Sequence, residues 1–272
     1  MTNLSFARAA CACALLYLSA LPALARDWSS ANFREPAVTQ PGHREWAWDG
    51  GDRLAVGVPA VVHYSEKGAP RVVINGPEDV LRQVRFGDGV IASDEDLFWA
   101  RRQTQEPLDI TVSGVALNEF VVSGSGRLLL GKLARDHLAV IISGSGSASM
   151  DGATVHDAKL VISGSGKADL GALQAGHVMA QISGSGSLSG AGHADDIDLK
   201  ISGAGDAHFG ALSTTSAEVD ISGSGKAEIA PRDEAQIRIT GSGTVRMDTK
   251  PAKLETTIRG SGHVMTAMAD RN

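Results

Sequence analysis

The chain has 272 residues and a formal net charge of −6, with 43% hydrophobic but only 4% aromatic residues. An acidic balance without basic clusters argues against nucleic acid or an anionic membrane as partner. Its two cysteines, Cys11 and Cys13, both fall in the first 25 residues, so the remainder can form neither a disulfide nor a thiolate metal site.

In chain order, residues 1–25 have the pattern of a secretory signal. Arg8 supplies the basic start, Ala9 to Leu21 a short apolar run, and Ala23-Leu24-Ala25 a small-residue cleavage site. The expectation is an exported protein, periplasmic, outer-surface-associated or secreted. No later segment reaches 18 continuous apolar residues, so no transmembrane segment is expected in the mature chain. Residues 26–45, polar and containing Pro36, Pro41 and Gly42, are expected to form an extended arm.

From Trp46 to residue 112 the pattern is strand-like: Arg53 to Val58, Ala60 to Tyr64, Arg71 to Ile74, Val80 to Phe86 and Val90 to Ala92. Turn signals at Gly50-Gly51, Lys67-Gly68, Asn75-Gly76 and Asp88-Gly89 separate them. Leu108 to Val112 then leads into Ser113-Gly114, a degenerate first corner. This irregular β region is expected to cap or begin the repetitive part of the chain, because an open end would expose strand edges and apolar core.

Residues 113–266 are repetitive. Ser-Gly-Ser-Gly or a close variant starts at Ser123, Ser143, Ser163, Ser183, Ser202, Ser222, Thr240 and Arg259, with steps of 20, 20, 20, 19, 20, 18 and 19 residues. A period of about 20 residues indicates stacked repeats. The residue before each corner is Val122, Ile142, Ile162, Ile182, Ile201, Ile221, Ile239 or Ile258. Alternate positions on both sides are apolar, and their neighbours (Lys159, Asp198, Glu218, Arg238) are charged. That period of two marks half-buried strands entering and leaving each corner. The predicted fold is all-β, a parallel β-helix or β-solenoid of about 20-residue coils, ending in a short tail at 267–272. The structural corners are Gly124, Gly144, Gly164, Gly184, Gly203, Gly223, Gly241 and Gly260, where a backbone turn leaves no room for a Cβ.

Chemistry-bearing motifs are sparse. Gly164-Ser-Gly-Lys167 and Gly223-Ser-Gly-Lys226 lack the earlier glycine and the following Ser or Thr of a phosphate loop. No Gly-x-Ser-x-Gly elbow is present. His137, Asp157, His177 and Asp196 share one phase of the repeat. Stacking would bring them together, either as a surface metal site or, the preferred reading, as a polar column facing water. Asp169, Asp198, Glu218, Asp220 and Glu228 are spread over coils among Lys and Arg, as a solvated charge ladder rather than a convergent catalytic pair. Trp46 and Trp48 lie on one face of a strand, with Trp99 as a second aromatic spot. They are the candidate binding residues, with plugging of the solenoid end as the plainer alternative. No catalytic residue, metal ligand or cofactor is assigned.

Three features together carry a resemblance: the strand pair around Leu54 to Tyr64, the Val72-Val-Ile-Asn-Gly-Pro-Glu-Asp-Val-Leu81 stretch, and the iterated Ile-Ser-Gly-Ser-Gly corners. Over roughly residues 47–266 the chain resembles the GIN-type head domain of "putative auto-transporter adhesins", a bacterial domain of unknown function. The resemblance implies a β-helical cell-envelope or secreted protein and carries no catalytic residues with it. The expected function is a non-catalytic structural or binding module at the cell envelope. Its partner would be an envelope polymer or a protein, and self-association through the terminal coil is a further expectation. The alternative is a polysaccharide-processing β-helix enzyme.

Overall fold

The computed structural model describes residues 31–93 and 107–266. Within the unit that starts at Asn32, the N-terminal part comprises β1 (Val38–Gln40), β2 (His43–Ala47), β3 (Arg53–Val56), β4 (Ala60–Ser65), β5 (Arg71–Asn75), α1 (Glu78–Leu81), β6 (Val84–Gly87), β7 (Val90–Ser93), β8 (Leu108–Ser113) and β9 (Glu119–Gly124). The repeats supply β10 (Arg127–Gly144), β11 (Ser147–Gly164), β12 (Lys167–Gly184), β13 (Ser187–Gly203), β14 (Asp206–Gly223), β15 (Lys226–Gly241), β16 (Thr244–Met247), β17 (Lys253–Gly260) and β18 (His263–Thr266).

The repeat strands stack in parallel and in register, so Val122, Ile142, Ile162, Ile182, Ile201, Ile221, Ile239 and Ile258 form one column. From Ile142 to Ile239 its members are 0–2% exposed. The apolar positions found by alternation are the core, and a coil buries them only because another coil lies on each side. Each repeat is thus a β-solenoid coil.

The corners join the hydrogen-bond ladder instead of interrupting it. The eight corner glycines have φ between +87° and +128°, a region open to glycine and costly for other residues. From the second corner on, the N–H after each donates to the carbonyl of the corner glycine one coil back, from Ser145 to Gly124 at 2.9 Å through Ser261 to Gly241 at 2.9 Å. The last glycine of each motif has a different reason for being there. A Cβ on Gly166 would lie 2.6 Å from Cγ2 of Ile142, and from Gly146 to Gly262 the corresponding approach is 2.5–2.8 Å. The isoleucine of one coil therefore occupies the space that a side chain in the next corner would need.

The coils of 19 and 18 residues keep their corners and spines and shorten between them. Pairing of β13 with β14 skips from Ser189–His208 to Gly192–Leu212, and β14 with β15 shifts between His208 and Ser213 and again between Thr214 and Ser216.

The N-terminal region extends the stack beyond the repeats. β4 lies parallel to β10, and β3 parallel to β9. β4 continues through β8 into antiparallel β5, β2 and β1, and β3 continues through β7 into antiparallel β6. The stretch expected to form an extended arm, 26–45, includes β1 and the start of β2. Pro41-Gly42, with Gly42 at φ +74°, turns the chain so that Gln40 faces His43. The run from Val80 to Phe86, expected as one strand, is corrected to the turn of helix α1 followed by β6. Pro77 precedes the helix with φ −60°, and Glu78 and Asp79 occupy its first turn, where a carboxylate meets free N–H groups.

Candidate binding surfaces

The aromatic cluster belongs to the N-terminal region, on and beside β2 and β6. Trp46 is 3% exposed, donates Nε1–H to the Arg34 carbonyl at 3.0 Å, and packs edge-on against Phe86 at 6.2 Å between ring centres. Trp48 is half-buried, donates to the Gly51 carbonyl at 3.1 Å, and lies 5.6 Å from Phe86. Trp99 falls outside the described residues. Both described indoles donate hydrogen bonds within the protein and pack on the same phenyl ring.

Beside Trp46 lies a feature that no sequence pattern indicated, a cavity of about 280 Å³ whose lining includes Glu35, Thr39, Arg44, Arg82 and Arg85. Arg44, from β2, is almost fully buried. It donates to the carbonyls of Gln40 and His43 at 2.6 and 2.9 Å and to Glu78 at 2.6 Å. The Arg44 hydrogen bond, then the Gly42 N–H, holds the Glu78 carboxyl down at about 2. The only local signal was the Glu78/Arg82 pair one helical turn apart. The Arg44–Glu78 contact spans 34 residues and left no pattern.

The Arg44–Glu78 pair has a consequence for acid stability. A carboxylate whose pKa is depressed by folding adds stability above its ordinary value of 4.5, and that contribution is lost as pH falls towards about 2. Glu78→Gln should lower stability at neutral pH, leaving buried Arg44 without its carboxylate, and should flatten the acid-unfolding profile between those values. Parallel profiles for the two proteins in that interval would rule the contribution out.

On the coils, charged side chains form pairs both within and between strands. Arg238 donates to Glu218 at 2.7 Å and lies 3.4 Å from Asp220, while Lys200 meets Asp198 at 3.0 Å. Arg246 bridges Glu228 at 3.1 Å and Asp248 at 3.0 Å. Asp169 accepts the Gly171 N–H at 3.2 Å. Burial raises the Glu228 pKa, but hydrogen bonds and charge from His208 and Arg246 outweigh it and leave the group below its ordinary value. That is the opposite of what a carboxyl needs to act as a general acid near neutral pH.

The His/Asp column does stack. His137, Asp157, His177, Asp196 and Ser216 are successive register partners. His137 contacts Asp157 at 2.9 Å, and the Ser216 hydroxyl donates to Asp196. Among the described residues no group of three His, Cys, Asp or Glu side chains is placed to hold a metal ion. No described helix is long and apolar enough to cross a membrane.

A parallel β-solenoid with glycine corners and an isoleucine spine defines the class. Within it, the chain belongs to the family described as "Putative auto-transporter adhesin, head GIN domain", whose profile matches residues 52–251. No curated protein sequence matches the chain. Its fold is similar to that of a Parabacteroides distasonis protein described as a "putative lipid binding protein", with TM-score 0.74 and 18% identity over 86% of this chain and 99% of that one. It is also similar to a "putative adhesin" from Parabacteroides merdae, with TM-score 0.74 and 20% identity over 83% of this chain and 95% of the other. A "putative adhesin" from Bacteroides fragilis is similar at TM-score 0.60 and 16% identity, over 86% and 99% of the two chains.

Proposed function

We propose that this protein is a non-catalytic binding module of the cell envelope, exported by means of residues 1–25. In this reading it holds an envelope polymer or a protein partner along the regular faces of its coils. The observation that carries the proposal is the state of the coil carboxylates. Asp198, Glu218, Asp220 and Glu228 each have a cationic neighbour within hydrogen-bonding or ion-pairing distance. Side chains tied to one another in a periodic array favour contact with an extended surface over acid–base chemistry at one point. The family description and the names of the structural neighbours support the same reading.

The test is to incubate the purified chain with separated peptidoglycan, outer-membrane vesicles and envelope polysaccharide. Co-sedimentation and release of soluble sugar are then measured together. Retention on one fraction without sugar release is the expected result and identifies the polymer class. Sugar release that disappears on replacing Glu218 or Asp220 would make the protein a polysaccharide-processing enzyme instead.

A further inference from the structure

The two ends of the repeat stack are built differently. At the N-terminal end the stack passes into antiparallel hairpins and terminates in short strands, three-residue β1 and four-residue β6, with Arg34 N–H closing on the Phe86 carbonyl at 2.9 Å. At the other end β17 pairs in parallel with β15 on one side, and among the described residues no strand pairs with its other side. All eight residues of β17 are exposed. Leu254 and Ile258 continue the inward columns of Ala235 and Ile239. They are 43% and 42% exposed, where Ala235 and Ile239 are 0% and 1% exposed. An open strand edge backed by unburied core residues is a template for another strand.

We propose that β17 is an isologous interface between two copies of this chain, each β17 adding antiparallel to the other about a twofold axis at Thr257. A second copy fits for three reasons. Inward residues must meet inward residues, which limits antiparallel self-pairing to registers centred on a residue. Among these, the register centred on Thr257 sets Glu255 opposite Arg259 twice and Lys253 opposite the neutral Ser261, whereas centring on Thr256 would set Lys253 against Arg259. Opposite charges on facing strands stabilise the pairing, and like charges oppose it. Finally, the N-terminal end offers no comparable edge for head-to-tail growth among the described residues, so the contact closes as a pair and does not extend into a fibre.

The experiment is light scattering coupled to size exclusion across a concentration series of the full chain, with charge-reversed variants. Wild type is expected to run as a dimer at the upper concentrations. Glu255→Arg and Arg259→Glu each place like charges opposite one another and should weaken the dimer about tenfold or more, a change of about 1.4 kcal/mol. The double variant Glu255→Arg/Arg259→Glu should restore it. Both side chains are exposed, so unchanged melting temperatures separate this effect from misfolding. In a background with Cys11 and Cys13 replaced by Ser, Thr257→Cys should cross-link on oxidation. Residues facing one another at an antiparallel axis sit about 4.5–5.5 Å apart at Cα, within disulfide reach. A monomer at every concentration, a dimer indifferent to both reversals, or an open polymer overturns the proposal.

Discussion

Gly203→Val should lower the melting temperature by roughly 10 °C, the effect of about 3–5 kcal/mol on a unit of this size. Gly203 has φ +118°, and a Cβ there would sit 2.6 Å from the Gly184 carbonyl oxygen. That oxygen already accepts the Ala204 N–H at 2.9 Å. Any shift that relieves the contact therefore breaks a ladder hydrogen bond in the middle of the stack. The strained φ adds to this, and a β-branched side chain has few rotamers with which to escape. Because coils contact only their neighbours, a lesion here separates the coils before it from those after it. Gly124→Ala is the internal comparison. Gly124 also has positive φ, at +87°, but a Cβ there would meet nothing within 4 Å. Its cost should stay near the about 1 kcal/mol of backbone strain. Thermal melts of the two variants separate the conformational demand of the corner from the stacking demand. Equal small shifts would show that neighbouring corners do not crowd.

A second large effect is expected at Phe209, the single aromatic residue after Phe120. Its ring is 1% exposed and occupies the inward position at which the preceding coil has Gly190. A Cβ on Gly190 would lie 3.4 Å from Cε1 of Phe209 and 3.4 Å from Cδ1 of Leu170. The ring thus leans into the volume that a missing side chain leaves between two coils. Phe209→Ala should cost about 3–5 kcal/mol through lost burial and the cavity left behind. Gly190→Leu alone should also destabilise, by about 1–3 kcal/mol, because that volume is occupied. Introduced into Phe209→Ala, the same leucine should recover part of the loss, giving a coupling of about 0.5–3 kcal/mol in a double-mutant cycle by chemical denaturation. Strict additivity would show that the two positions do not share a space.

These two sites mark the boundary between what repeats and what does not. Gly203 could be picked out because eight copies of one motif at nearly constant spacing leave a single stacking register. The corner, the isoleucine spine and the period-two strands all agree on it. The last glycine of each motif was legible as glycine, but its cause, the Ile Cγ2 of the preceding coil, was not. The Phe209 and Gly190 pairing was equally hidden, because it happens once. The candidate site was less legible still. Trp46 and Trp48 stood out as aromatic residues on one strand face, yet what they touch depends on Phe86 and Arg34.

The sequence by itself determined the solenoid, its period, the identity of the spine and the positions of the corners, and through them the family. Periodic side-chain chemistry constrains a periodic backbone, so local pattern and global fold carry the same information there. Only the tertiary structure decided how the N-terminal strands pair onto the stack, where the shorter coils lose their residues, and that Arg44 is buried against Glu78. It also decided that β17 keeps a free edge with Leu254 and Ile258 uncovered. Each of these depends on which strand lies next to which across tens of residues. A pairing that occurs once leaves no period in the sequence by which to recognise it.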